Sequence, residues 1–167
     1  MTIVDRARVF ATAAHAAVGQ VRKYTFEPYI VHPAEVVSIV KSVPHTDVML
    51  AAAWLHDVVE DTGVTIETIR AEFGVEVAEL VGWLTDVSRP EHGNRAHRKA
   101  LDRAHSAAAP AEAQTVKLAD LISNTRSIIA HDVSFAKTYL EEKRLLLEVM
   151  TKGDATLMAV ARKNVGV

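Results

Sequence analysis

Four titratable side chains fall within six positions of an otherwise apolar stretch, Trp54-Leu55-His56-Asp57-Val58-Val59-Glu60-Asp61-Thr62. On one continuous helix, residues three and four apart are neighbours. His56 then lies beside Glu60, and Asp57 beside Glu60 and Asp61. An imidazole and a carboxylate on a shared face can ligate a metal ion, and acids on the next turn can hold or deprotonate a water. The alternative is a helix that surfaces and ends in solvated acids before Gly63. Spacing alone leaves both readings open.

A second stretch, Lys117-Leu118-Ala119-Asp120-Leu121-Ile122-Ser123-Asn124-Thr125-Arg126, again sets polar groups in an apolar helix. Asp120, Asn124 and Ser127 fall on one face. An acid flanked by Leu118, Ala119, Leu121 and Ile122 is costly to bury unpaired and needs a cation or strong donors. A metal is one such partner; Arg126 or Lys117 in an ion pair is the other. A third piece is Pro28-Tyr29-Ile30-Val31-His32-Pro33, where His32 stands at a helix start, although a lone histidine there is more often a core residue. The chain has no cysteine, so thiolate sites and disulfides are excluded and any metal rests on histidine and carboxylate.

The elements that must hold these residues read as helices throughout. At 167 residues, 49% hydrophobic and 24% charged, the chain suits one soluble domain with a substantial core. Expected helices cover 5–20, a segment with His32 as N-cap through Ser42, and a run from an Asp47 cap through Val59. Others are expected from Thr65 to Phe73, over 75–87, 94–106, 114–130, 134–151 and 154–163, with a soft patch at 107–113 around Pro110. No run alternates as a strand would. The fold class is therefore all-α. The start, Met1-Thr2-Ile3-Val4-Asp5-Arg6, has no secretion-signal pattern, and no apolar stretch approaches the roughly 20 residues of a spanning helix. A cytoplasmic protein without a membrane partner is expected, and a net charge of −2 argues against broad nucleic-acid binding.

Together the pieces resemble the hydrolase domain of the RelA/SpoT family over roughly residues 5–150. The resemblance is carried by Gly19-Gln20-Val21-Arg22-Lys23, Pro28-Tyr29-Ile30-Val31-His32-Pro33, Leu55-His56-Asp57-Val58-Val59-Glu60-Asp61-Thr62, Phe73-Gly74 and Lys117-Leu118-Ala119-Asp120. It implies an HD-domain helical bundle spanning 1–167, similar to the stand-alone small alarmone hydrolases, with one Mn²⁺ or another divalent cation. By motif the metal ligands fall on His32, His56, Asp57 and Asp120. The implied activity is removal of the 3′-pyrophosphate of ppGpp or pppGpp, giving GDP or GTP plus pyrophosphate. The implied partner is a small-molecule nucleotide.

Glu60 and Asp61 match the acid pair that orients and activates water in that family. Arg22 and Lys23, Arg98 and Lys99, Asn124 and Tyr139 are the implied substrate contacts. His15 reads as packing, and His45, His92, His97, His105 and His131 as exposed or capping. Two departures touch substrate contacts: Tyr24-Thr25-Phe26-Glu27 replaces a Gly-rich turn, and Leu121-Ile122-Ser123-Asn124 replaces a more polar segment after the aspartate. A phosphatase acting on another phosphorylated nucleotide such as NADPH, and a non-catalytic nucleotide sensor, are the competing readings.

Overall fold

Thr2 starts the first helix by closing a capping box with Asp5, so α1 runs over Ile3–Ala17. The computed structural model describes residues 1–167, in two compact units, Met1–Thr85 and Asp86–Val167. The first unit continues with α2 (Val31–Lys41), α3 (Asp47–Leu55), α4 (Val58–Asp61), α5 (Ile66–Phe73) and α6 (Val75–Leu84). The second holds a short 3₁₀ turn (Pro90–His92), α7 (Arg95–Ala108), α8 (Ala111–His131), α9 (Val133–Val149) and α10 (Ala155–Val165). The all-α expectation holds: the one extended pairing is an isolated bridge between Val21 and Pro28.

In the first unit α3 is the core element. Every residue from Met49 to Leu55 is buried, and the helix packs against α1, α2 and α6. Burial of side chains such as Leu50 and Leu55 contributes about 1.5–3 kcal/mol each, enough to fix the helix and whatever follows its last turn. In the second unit α8, α9 and α10 pack on one another, and α7 lies on α9. The inward face of α8 carries Val116, Leu118, Ala119, Leu121, Ile122 and Thr125, all buried. No helix is long and apolar enough to cross a membrane.

Several boundaries differ from expectation for local reasons. Thr46, not Asp47, caps α3, its side chain accepting from the Met49 amide. His32 is not an N-cap, because Ile30 is already helical at φ −57°, ψ −19° and His32 sits in the first turn. There Pro33 is tolerated, since first-turn amides need no helical acceptor. The helix expected to run through Val59 stops at Leu55 and restarts at Val58. The helix expected to reach Val87 ends at Leu84, and the Asp102 carboxylate takes the amides of Val87 and Ser88 in a non-helical segment.

Candidate functional site

The break after Leu55 is made by the residue that matters most. His56 Nδ1 donates to the Ala53 carbonyl at 2.7 Å, the acceptor that the Asp57 amide would use if the helix continued. A side chain that takes a backbone acceptor competes with the helix. Asp57 falls at φ −102°, ψ −2° at the start of α4, without a side-chain bond to that helix's amides. His56 and Asp57 are therefore brought together by a junction, not by the face of a continuous helix.

With Nδ1 committed as a donor, the neutral His56 ring offers Nε2 as an acceptor. That atom lies 3.0 Å from Asp57 Oδ2, and His32 Nε2 lies 3.7 Å from the same oxygen. One donor atom from each of His32, His56 and Asp57 lies within 4.8 Å of the other two. Both histidines are buried, and their ring centroids are 5.3 Å apart. A ring lone pair facing a carboxylate oxygen sets acceptor against acceptor, which a bound cation relieves. By the chemistry of this donor set, nitrogen and oxygen without sulfur, the three residues fit a divalent cation.

Tyr29 supports the cluster from the loop before α2. Its hydroxyl donates to Asp57 Oδ2 at 2.6 Å, and its ring meets those of His15 and His32 at centroid distances of 4.7 Å and 5.9 Å. Arg22 is half-buried with its guanidinium carbon 5.7 Å from the Tyr29 ring centroid, whereas exposed Lys23 lies over Tyr24. Glu60 and Asp61 both lie on α4 and are exposed. Shielding of the inner side of the Asp61 carboxyl raises its pKa above the usual aspartate value; a hydrogen bond from Gln20 opposes this, and the Asp57 charge adds to it.

In the second unit Asp120 is half-buried on α8 and accepts from Asn124 Nδ2, one turn on, at 2.9 Å. Tyr139 is a core residue, 6% exposed, with its hydroxyl accepting from Thr125 Oγ1 at 3.3 Å; burial pushes its phenol up. That places the hydroxyl among protein groups and not at an open sugar site. Lys99 joins Lys117 and Lys143 on the wall of a small, half-open cavity of about 40 Å³, while Arg98 is half-buried outside that lining.

The acids on that wall are already engaged. Asp102 accepts from Val87 N, Ser88 N and Ser88 Oγ at 3.0, 2.8 and 2.7 Å. Glu142 takes two bonds from Arg95 at 2.6 and 3.0 Å, and Lys117 stands 3.8 Å from Asp86. Positive charge is thus in excess. Burial, with the charges of Lys117 and Lys99 adding to it, brings the Lys143 ammonium down to about 8. Its Nζ lies 5.0 Å from the Tyr139 ring centroid.

Sequence reasoning passed over Tyr29, Gln20, His15, Lys117 and Lys143 as functional residues. Tyr29 and Gln20 stood inside the motifs, yet nothing in their types marked a hydrogen bond to an acid far along the chain. The lysines are scattered over α8 and α9, so only packing gathers them.

Comparison with known proteins agrees with this geometry. A family model described as HD domain matches residues 7–144, a span that includes His32, His56, Asp57 and Asp120. The chain belongs to the HD domain family. A probable guanosine-3′,5′-bis(diphosphate) 3′-pyrophosphohydrolase of Synechocystis is 37% identical over 131 residues, covering 77% of this chain and 17% of that protein. A probable GTP pyrophosphokinase of Mycobacterium leprae is 36% identical over 129 residues, covering 77% of this chain and 16% of that protein. The chain thus spans less than a fifth of the length of these curated relatives. A solved structure of a metazoan orthologue of SpoT, described as hydrolysing ppGpp with a role in starvation responses, matches with a TM-score of 0.86. That match has 26% identity and covers 98% of this chain and 94% of that one.

Proposed function

We propose that the chain is a divalent-metal phosphohydrolase that removes the 3′-pyrophosphate of ppGpp and pppGpp, releasing GDP or GTP and pyrophosphate. The observation that carries the proposal is the meeting of His32, His56 and Asp57 at the α3–α4 junction, with His56 held by its Nδ1 bond so that Nε2 faces Asp57 Oδ2 at 3.0 Å. The descriptions of the relatives supply the substrate class. In this reading residues 1–167 act as one HD domain in the cytoplasm, Asp120 is the fourth ligand and Mn²⁺ is the cation.

When bound, a divalent cation supplies Lewis acidity toward a phosphoryl oxygen and makes water more acidic. The chain's own residues do the rest. Glu60 accepts a proton from the attacking water, and Asp61 orients that water from the same short helix. Water adds to the phosphorus next to the ribose O3′, the P–O3′ bond breaks, and a proton reaches O3′. In this reading Arg22, Lys23, Arg98 and Lys99 meet charge on the nucleotide. Asn124, fixed to Asp120, presents its remaining amide capacity to a ribose or phosphate oxygen. Phosphoryl transfer asks for this positioning and neutralisation more than for covalent catalysis.

The test is a nucleotide panel with Mn²⁺ and the purified protein. The proposal expects pyrophosphate and GDP in equal amounts from ppGpp. Orthophosphate from NADPH, with no pyrophosphate from ppGpp, overturns the substrate assignment. Binding of ppGpp without turnover replaces the enzyme by a sensor.

A further inference from the structure

His15 is 1% exposed on α1, and its Nδ1 lies 2.8 Å from Gln20 Oε1. Gln20 in turn reaches across 41 positions of sequence, its Nε2 donating to Asp61 Oδ2 at 3.0 Å. We propose that Gln20 is a positioning residue for Asp61, locked in that role by His15. The inference rests on the hydrolase reading above for what Asp61 does, but its geometry stands on its own.

The polarity of the chain follows from what each group can do. An ionised carboxylate only accepts, so the Gln20 atom facing Asp61 is the NH₂ group. The atom facing His15 is then the carbonyl oxygen, which also only accepts. His15 must therefore carry its proton on Nδ1, and Nε2 is left as a bare acceptor. Nε2 is buried and has no hydrogen-bond partner, the condition of an unprotonated ring nitrogen with no proton to place. Turning the amide over would set its carbonyl against the Asp61 carboxylate, acceptor against acceptor, so one orientation is selected.

The ends of the relay are themselves fixed. Gln20 N donates to the His15 carbonyl at 3.1 Å, and the Gln20 carbonyl accepts from Tyr29 N at 3.2 Å. The His15 ring rests against Tyr29, the side chain that donates to Asp57. One buried histidine thus steadies both acids of the site: Asp57 through Tyr29, and Asp61 through Gln20. Asp61 needs such a tether because it ends a four-residue helix and is exposed. Gln20 occupies one Asp61 oxygen and leaves the other to face water.

Two measurements test this. The first is a double-mutant cycle on pyrophosphate release from ppGpp with Mn²⁺, using wild type, Gln20→Ala, Asp61→Ala and the double variant. Gln20→Ala is expected to lower kcat about ten-fold with little change in KM, and to cost nothing further once Asp61 is gone. An equal loss in both backgrounds, or no loss at all, overturns the inference. The second uses no turnover: long-range ¹H–¹⁵N spectra of the apo protein should show neutral His15 with its proton on Nδ1, changing in Gln20→Ala. A proton on Nε2 in wild type, or a spectrum indifferent to Gln20→Ala, overturns it equally. A wild type inert toward ppGpp defeats the substrate assignment instead, and the histidine spectra then decide the relay.

Discussion

Removing the Tyr29 hydroxyl should weaken metal binding without disturbing the fold. Tyr29→Phe keeps the ring against His15 and His32 and deletes only the donor held 2.6 Å from Asp57 Oδ2. A hydrogen bond to a charged group is worth about 1.5–3 kcal/mol. At 1.4 kcal/mol per factor of ten, that corresponds to roughly 10–100-fold in affinity. The figure agrees with the roughly 10–100-fold effect of losing an outer partner of a metal ligand. The Asp57 side chain is 17% exposed, so water can replace the donor in part, which puts the expected loss near the lower end, about ten-fold. Calorimetric titration of Mn²⁺ into metal-stripped wild type and Tyr29→Phe reads this directly, and turnover at saturating Mn²⁺ should stay close to wild type. Affinities equal within about two-fold would refute the reasoning, because a ligand carboxylate cannot lose its shortest donor at no cost.

Glu60→Gln should abolish pyrophosphate release while leaving Mn²⁺ and nucleotide binding intact by calorimetry; retained turnover removes Glu60 from the mechanism. Phe26 adopts φ 62°, a left-handed conformation that strains a non-glycine residue, and it is 75% exposed. Phe26→Gly should therefore raise stability in urea by about 0.5–1 kcal/mol, the relief of strain less the entropy of a glycine in the unfolded chain. The folded-state pKa of Lys143, about 8, lies below its ordinary 10.5, so between these values the unfolded chain binds more protons. Stability should rise with pH across that window, and Lys143→Met should flatten the rise when urea unfolding is compared at both ends.

The helical class was legible because apolar spacing and caps are local, whereas spacing alone left His56, Asp57 and Asp120 open and the ligand candidates came from the motif resemblance. Thr65 capping α5 and Phe73 ending it followed from residue type alone. The break at His56 was not legible, since Leu55-His56-Asp57-Val58 contains no glycine or proline. It arises from a side chain reaching back to Ala53, a competition that no propensity records. For the same reason His15 read as packing. It does pack, and its polar edge became visible only once Gln20 was seen to turn toward Asp61. The Lys99, Lys117 and Lys143 cavity depends on helix packing, which sequence spacing does not express.

The residues between Val21 and Pro28 close on themselves: the bridge joins their ends, Arg22 N donates to the Glu27 carbonyl, and Phe26 N to the Arg22 carbonyl. Gln20 and Tyr29, just outside this clasp, are tied to each other and to the acids of the site. Replacements at Tyr24, Thr25 or Phe26 therefore fall inside the clasp and leave the bonds made by Gln20 and Tyr29 in place. The segment can thus vary in sequence while the hydrogen bonds that reach Asp57 and Asp61 persist.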